Sequence, residues 1–408
     1  MATPLRYPKF RLLLAGRFTS TLGGAVAPVA LAFAVLDLTG SVTDLGLVVG
    51  ARSVANVVFL LFGGVLADRL PRSLILIGSS TLSAISQGAI AALFLTGHAT
   101  IPILVALAAV NGTVSAFTYP ASAAILPQTV PAGERQAANA FSRLVTNGAM
   151  IVGAPVGGLL IAATSPGWGL AVDAASFLLS GVLFALLRVP SVARSGMGDS
   201  VLRELLSGWR EFSSRTWLWA VVLGFMFLNA AEVAAQSVLG PGIAKETIGA
   251  GGWGTVLGIQ TAGMVLGALV SMRLRVRRLL RLGVVAVGAL CLLPLALAFA
   301  PTLPALAVAG FVAGVCVEQF SVAWETSMQQ EVPPEMLARV YSYDMLGSFV
   351  AIPIGQMAAG PISQAIGVKP TLVGCAAVIL LATGGMLAVR KVRTLEVAPA
   401  KAAEAVAV

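Results

Sequence analysis

Twelve apolar runs, each long enough to cross a bilayer as a helix, constrain this chain more than any other feature. They fall near 12–36, 45–67, 73–95, 101–125, 140–163, 168–188, 217–240, 253–272, 280–300, 303–325, 342–365 and 370–390. About 20 residues at a rise of about 1.5 Å each cover the roughly 30 Å of hydrocarbon in a bilayer. Only 11% of the residues are charged and the mean hydropathy is +0.93. A soluble domain carries about 25% charged residues, so an ordinary soluble enzyme, a disordered chain and a disulfide scaffold are excluded. The 44 glycines and 21 prolines would wreck a soluble helical bundle, whereas in lipid they are tolerated and let helices approach closely. The fold class expected is an all-α membrane protein with twelve transmembrane helices.

The basic residues sort with the loops. Of 26 Lys and Arg, 22 lie in alternate connections on one side, from Arg6, Lys9 and Arg11 through 188–215 and 273–281 to Arg390, Lys391, Arg393 and Lys401. Only Lys245 and Lys369 fall on the other side, and Arg17 and Arg52 lie within spans. The positive-inside rule then puts both termini in the cytoplasm of a multi-pass cell-membrane protein, with the first span retained. The net charge of +9 follows from this topology, so no nucleic-acid partner is expected. The organisation expected is a six-helix bundle over 1–188, a cytoplasmic linker over 189–216, a second six-helix bundle over 217–390, and a disordered Ala-rich tail over 391–408. Within the linker, Val201 to Phe212 has apolar residues at helical spacing. It reads as a linker helix or as a latch at the membrane surface, and the need for a cytoplasmic connection here favours the linker.

The two halves echo each other. Gln128-Thr-Val-Pro131 recurs as Gln330-Glu-Val-Pro333, an offset of 202 that also carries Gly112 to Gly314, Gly153 to Gly355 and Gly158 to Gly360. An offset of 208 carries Gly46 and Gly50 to Gly254 and Gly258, and Arg69 to Arg277. Paired six-helix bundles flanking a midplane cavity are the architecture such a repeat predicts.

At the end of the second run stands Gly63-Gly64-Val-Leu-Ala-Asp68-Arg69-Leu-Pro-Arg72. Gly64 allows a close helix approach, Asp68 suits a helix N-terminus, and Arg69 and Arg72 suit nearby carboxylates, with Asp344 the candidate partner. This loop resembles the signature of the major facilitator superfamily, with Pro71 where the family usually has glycine. The resemblance implies a conformational latch made by Gly64, Asp68, Arg69, Arg72 and Asp344. Phe10 to Arg17, Pro120 to Pro127, Asn139-Ala140 and Asp173-Ala-Ala-Ser-Phe177 are similar to the branch of macrolide-efflux and enterobactin-export proteins, a drug:proton antiporter branch. Gly153-Ala-Pro155-Val-Gly157-Gly158 resembles the glycine-proline motif of its antiporters; it also suits tight helix packing around a proline kink. The arginine that many proton antiporters carry in the fourth span is absent from 101–126, and Gly23-Gly24 stands where branch members often have Gly-Asp.

Ionisable residues inside spans are functional candidates by default because they are costly there. Glu232 shares a helical face with Asn229 and Gln236, and Glu318 and Glu325 share another beside Trp324. Arg17 has Ser20, Thr21 and Gly24 on its face, and Arg52 has Asn56 one turn on. Arg17 and Glu318 lie at similar depth and are expected to pair between the halves, and Glu232 is the leading proton carrier. Asp37 and Asp44 are expected to be solvated in the first outer loop. Cys291, Cys316 and Cys375 lie in apolar runs and His98 is the single histidine, so packing thiols and no metal site are expected. There is no P-loop and no HExxH. Gly249 to Gly254 satisfies GxGxxG but is expected in an outer loop, without the preceding strand a dinucleotide site needs.

The resemblance implies a monomeric secondary transporter in the lipid bilayer, not an enzyme and without a cofactor. It would export a small hydrophobic or amphipathic compound (a drug, secondary metabolite or siderophore) against protons by alternating access. A facilitator importing a nutrient shares the same fold, and a non-transporting membrane sensor is the reading from another class.

Overall fold

The computed structural model describes residues 4–69, 72–131, 134–187, 201–274 and 276–396, apart from the side chains of 60–69, 72, 119–124, 127, 136, 201–207, 334, 335 and 338. Proline opens many of its helices, since a first-turn residue has no intrahelical use for an N–H. The amino-terminal bundle comprises α1 (Pro8–Thr39), α2 (Val42–Arg69), α3 (Arg72–Leu95), α4 (Ile101–Ile125), α5 (Arg135–Ala163) and α6 (Pro166–Leu186). A helix α7 (Val201–Ser214) leads to the carboxy-terminal bundle. There α8 runs Thr216–Thr247, α9 Gly249–Arg273, α10 Leu279–Phe299 and α11 Leu303–Glu331. The bundle ends with α12, in segments Pro334–Phe349 and Ile352–Ile366, and α13 (Val368–Ala388). Twelve of these are long and apolar enough to cross a membrane. The outer loop expected at 249–254 is instead the first turn and a half of α9, reached through Gly249 at φ +68°.

Three helices change pitch just before a proline. A π turn occupies Ala234–Leu239 ahead of Pro241, a 3₁₀ turn Gly288–Cys291 ahead of Pro294, and α12 breaks ahead of Pro353. Each proline removes one ladder donor and crowds the preceding turn, and the backbone retightens or widens to compensate. The π turn of α8 begins two residues after Glu232.

The internal repeat is visible as matched glycine contacts. Gly112 of α4 packs on the Arg52 carbonyl of α2, and Gly314 of α11 packs on the Gln260 carbonyl of α9. Gly153 of α5 meets the Leu22 carbonyl of α1, and Gly355 of α12 meets that of Ala230 in α8. Each partner pair is related by the same offsets of 202 and 208. The bundles meet each other through a second matched set: Gly46 of α2 against the Gln356 carbonyl, and Gly254 of α9 against the Ala154 carbonyl. A Cβ at any of these positions would strike backbone, so small residues set the helix spacing.

The expected packing motif divides its duties along this line. Gly153 and Gly157 face Ala25 and Val26 of α1, whereas Gly158 faces the Ala250 carbonyl and Pro155 abuts Gly258 of α9. Among the described residues, the close inter-bundle glycine contacts lie towards the end of the molecule opposite the arginine-rich loops. Helix α7 docks on the carboxy-terminal bundle: Gly208 abuts Arg339 and Tyr343, and the Trp209 and Phe212 rings lie 5.5 and 5.8 Å from Tyr343.

The side chains of Gly64, Asp68, Arg69 and Arg72 lie outside the described residues, as do most of the linker before α7 and residues 397–408. Asp344 accepts hydrogen bonds from Trp324 Nε1 at 2.9 Å and Ser348 Oγ at 3.2 Å. Cys291 and Cys375 are buried and Cys316 is half-buried, all as free thiols.

Candidate functional site

A cavity of about 810 Å³ lies between the bundles. Helices α1, α2, α4 and α5 wall one side and α8 to α12 the other. Apolar and aromatic groups dominate: Phe225, Phe349, Trp253, Met150 and Met264 with several Leu and Val. The polar lining is Ser53, Asn56 and Ser115 from one bundle, and Asn229, Gln236, Ser237, Gln260, Thr261 and Gln356 from the other. Among the described residues its charged lining is Arg52 and Glu232.

Helical spacing on α8 brings Asn229, Glu232 and Gln236 to this one surface, as the sequence predicts. Asn229 Nδ2 donates to the Ser348 carbonyl at 2.9 Å, and Gln236 Nε2 donates to Gln260 Oε1 at 3.0 Å. Glu232 between them makes no hydrogen bond or ion pair among the described residues. The polar neighbours that would normally satisfy a carboxylate are engaged elsewhere, which leaves Glu232 aimed at the cavity contents. Gly24, its repeat counterpart, lines the opposite wall, and a Cβ there would meet open space.

The expected Arg17–Glu318 pair does not form. Arg17 turns towards its own bundle and donates to Ser142 Oγ of α5 at 2.6 Å. The charged groups acting on Glu318 are Arg143 of α5 and Glu325 of its own helix. Depth along a helix follows from residue count, but the direction in which a side chain leaves the axis decides its partner. Neither Arg17 nor Glu318 lines the cavity, and Glu325 is exposed at the arginine-rich end.

Asp37 is not simply solvated. Lys245 Nζ lies 2.6 Å from Asp37 Oδ1 and donates to the Leu36 carbonyl at 2.9 Å, joining α8 to the end of α1. The ammonium therefore meets both a carboxylate and the negative end of a helix. Both side chains are over a third exposed, so the pair is weak. We expect Lys245→Gln to lower the closed population at this end by no more than about fivefold, the equivalent of about 1 kcal/mol. A double-mutant cycle with Asp37→Asn, read at low and high salt, checks this.

One embedded acid escapes the sequence reading. Asp173, read there only as part of a motif segment, is completely buried in the middle of α6. The rule that singles out Glu232, an ionisable residue inside an apolar run, singles it out equally. An aromatic ladder is likewise invisible to linear spacing: Phe225 stacks on Phe320 at 4.1 Å, Phe320 on Trp324 at 5.9 Å, and Trp324 meets Trp217 edge-on at 5.6 Å. It runs from the cavity wall into the carboxy-terminal bundle. No group of three or more His, Cys, Asp or Glu among the described residues could hold a metal.

The chain is similar to known membrane proteins over nearly its whole length. It is 28% identical to the multidrug efflux pump Tap of Mycolicibacterium fortuitum over 382 residues, covering 91% of this chain and 93% of that one. With macrolide efflux protein A of Streptococcus pyogenes it shares 22% identity over 393 residues, 91% and 95% of the two chains. Its fold superposes on the nucleoside transporter NupG with a TM-score of 0.74 at 16% identity, covering 93% and 98% of the chains. A bacterial homologue of the iron transporter ferroportin in the inward-facing state gives 0.73 at 17% identity, with 95% and 99% covered. The family model of the Major Facilitator Superfamily matches residues 13–343. Two bundles related by an internal repeat, a shared cavity between them and this match together identify the chain as a member of the Major Facilitator Superfamily of membrane transporters.

Proposed function

We propose that this transporter exports small hydrophobic or amphipathic compounds in exchange for protons, by alternating access across the cell membrane. The observation that carries the reading is the inter-bundle cavity, apolar over most of its wall, with Glu232 as an unpaired carboxylate facing its contents. Apolar walls bind drug-sized molecules with little directional demand, and a few polar groups fix orientation. A carboxylate in such a place is costly when charged and cheap when protonated. Proton uptake and cargo binding therefore compete for the same group. That competition couples the two, provided that cargo and proton favour different conformers.

The split of 22 against 2 basic residues supports an arginine-rich end in the cytoplasm and both termini there. In that orientation the glycine seam between the bundles closes the side facing outwards. The efflux activity in the names of Tap and of macrolide efflux protein A agrees with an exporter. We assign proton coupling or cargo contact to Glu232, Arg52, Asn229 and Gln236, and electrostatic support at the arginine-rich end to Glu318, Glu325 and Arg17. We keep the latch role of Gly64, Asp68, Arg69, Arg72 and Asp344.

Expression in cells stripped of their main pumps tests the reading, with ethidium, erythromycin and tetracycline as probes. Steady-state accumulation of at least one probe should fall by about threefold or more and recover when an uncoupler collapses the proton gradient, about 0.7 kcal/mol of maintained gradient. Unchanged accumulation of all three overturns the export reading. Uptake of a nucleoside or sugar driven by the gradient would replace it with import.

A further inference from the structure

Asp173 carries one oxygen that is satisfied and one that is not. Oδ2 accepts from Gln87 Nε2 of α3 at 2.6 Å, whereas Oδ1 is buried with no hydrogen-bond partner among the described residues. The helices packed around it bring little else. At Gly23 of α1 a Cβ would lie 3.0 Å from Oδ1, and α3 carries the buried Ser83 and Ser86, the latter accepting from Asn111 Nδ2 of α4 at 3.4 Å. Among the described residues, the charged group acting on Asp173 is Arg52 of α2. Asp173 is in turn the one charge acting on Arg52, although Glu232 lines the same cavity as Arg52. The two make no direct ion pair among the described residues. A buried carboxylate oxygen without a donor is costly, and its attraction to Arg52 acts across a gap.

The internal repeat isolates this couple. Helices α6 and α13 correspond end to end at the offset of 202, and Asp173 falls on Cys375. Arg52 falls on Gln260, as the matched contacts of Gly112 and Gly314 establish. The carboxy-terminal bundle thus lacks the cation and the anion together, and folds the same way without them. The couple is not a requirement of the scaffold.

We propose that Asp173 is a second proton-binding site of the transport cycle, read out at the cavity wall through Arg52. This rests on the proton-coupled export reading above. The proton binds at Oδ1, entering from the cavity past Gly24, where the wall has no side chain, and it leaves to water on the other side of the membrane. No bond in the cargo changes. With Asp173 ionised it compensates Arg52, and Glu232 gives the cavity a net negative charge suited to a cationic or hydrogen-bonding amphipath. With Asp173 protonated it no longer compensates Arg52, the net charge of the three groups rises from negative to zero, and a cationic cargo is released. Asp173 is a positioning residue in this scheme: it touches no cargo and acts by setting the field of Arg52.

The test uses the full chain in liposomes of phosphatidylethanolamine and phosphatidylglycerol, with ethidium as the probe. Infrared pH titration should show two carboxylic-acid C=O bands, one lost in Asp173→Asn and the other in Glu232→Gln, with Arg52→Gln moving the midpoint of the first. Because Asp173→Asn alone leaves Arg52 unpaired and endangers folding, the Arg52→Gln/Asp173→Asn double variant reproduces the neutral pair of the other bundle. It should fold and reach the bilayer like the wild type, and the pH dependence of the ethidium efflux it supports, whatever its absolute rate, should drop from two protons per cycle to one. A merely structural couple predicts that the double variant regains the wild-type pH dependence, and that result overturns the proposal, as does an infrared titration unaltered by Asp173→Asn. Wild-type ethidium movement that ignores the proton gradient would sink the coupled-export reading itself, whatever the infrared bands do.

Discussion

Glu232→Gln is expected to cut proton-driven efflux by about 100-fold or more, a loss of about 2.7 kcal/mol of driving interaction, while leaving energy-independent counterflow close to wild type. Glutamine has nearly the volume of the acid, so the cavity wall keeps its shape. The amide mimics the protonated state permanently. Transport then loses the step in which proton binding and cargo binding exclude each other, and the part of the pH dependence of efflux that Glu232 supplies disappears. The variant should also melt no lower than wild type, because Glu232 has no partner to lose, and removing an uncompensated charge from low dielectric relieves a cost. That combination separates a coupling role from a structural one. A structural carboxylate, such as one held by a buried cation, would destabilise the fold by about 3–5 kcal/mol when neutralised. Everted vesicles with an imposed pH gradient, and a thermal unfolding scan in detergent, measure the two sides. Equal gradient-driven rates for variant and wild type would remove Glu232 from the coupling path.

How much of this site is legible in the sequence depends on whether one helix or several define it. The polar face Asn229, Glu232 and Gln236 needs only the 3.6-residue period of α8, and the sequence delivers it intact. Arg52 with Asn56 is recovered for the same reason. The Arg17–Glu318 pair fails because it joins helices of different bundles, where equal depth says nothing about azimuth. Arg17 leaves α1 towards Ser142, and the cation whose charge acts on Glu318 is Arg143. The Lys245–Asp37 bridge is missed for a related reason: each residue looks solvated in its own loop, and only the closed seam brings them together. Asp173 is different, since the intramembrane-charge rule reaches it from sequence alone, but its coupling to Arg52 requires α2 and α6, which both pack on α1, to be placed in three dimensions. The repeat was the most informative signal for the fold. Its offsets of 202 and 208 anticipate which glycine meets which carbonyl, because a pseudo-twofold relation between bundles carries every close approach into its counterpart.

That relation also predicts two classes of glycine variant with opposite phenotypes. Gly112→Leu places a side chain against the Arg52 carbonyl inside one bundle. The contact is present in every conformer, so the penalty falls on folding and the protein should fail to accumulate in the membrane. Gly254→Leu and Gly46→Leu instead place side chains against the Ala154 and Gln356 carbonyls of the opposite bundle. Each bundle folds as before, and the penalty falls only on conformers in which this end is closed. Overpacking of this kind costs about 1–3 kcal/mol per site, and at about 3 kcal/mol the closed population falls by roughly 150-fold. The two sites share no partner, so their effects should nearly add in the double variant. Spin labels at the exposed positions His98 and Lys369 report the gap between bundles at this end. The distance should lengthen by several ångströms in Gly254→Leu, with efflux abolished and the melting temperature little changed. Gly374→Leu is the control, because a Cβ there meets open space and should alter neither distance nor transport. If Gly254→Leu leaves the label distance at its wild-type value, the seam is too soft to gate the pathway, since helices able to absorb a leucine between backbones could not hold that end shut against water.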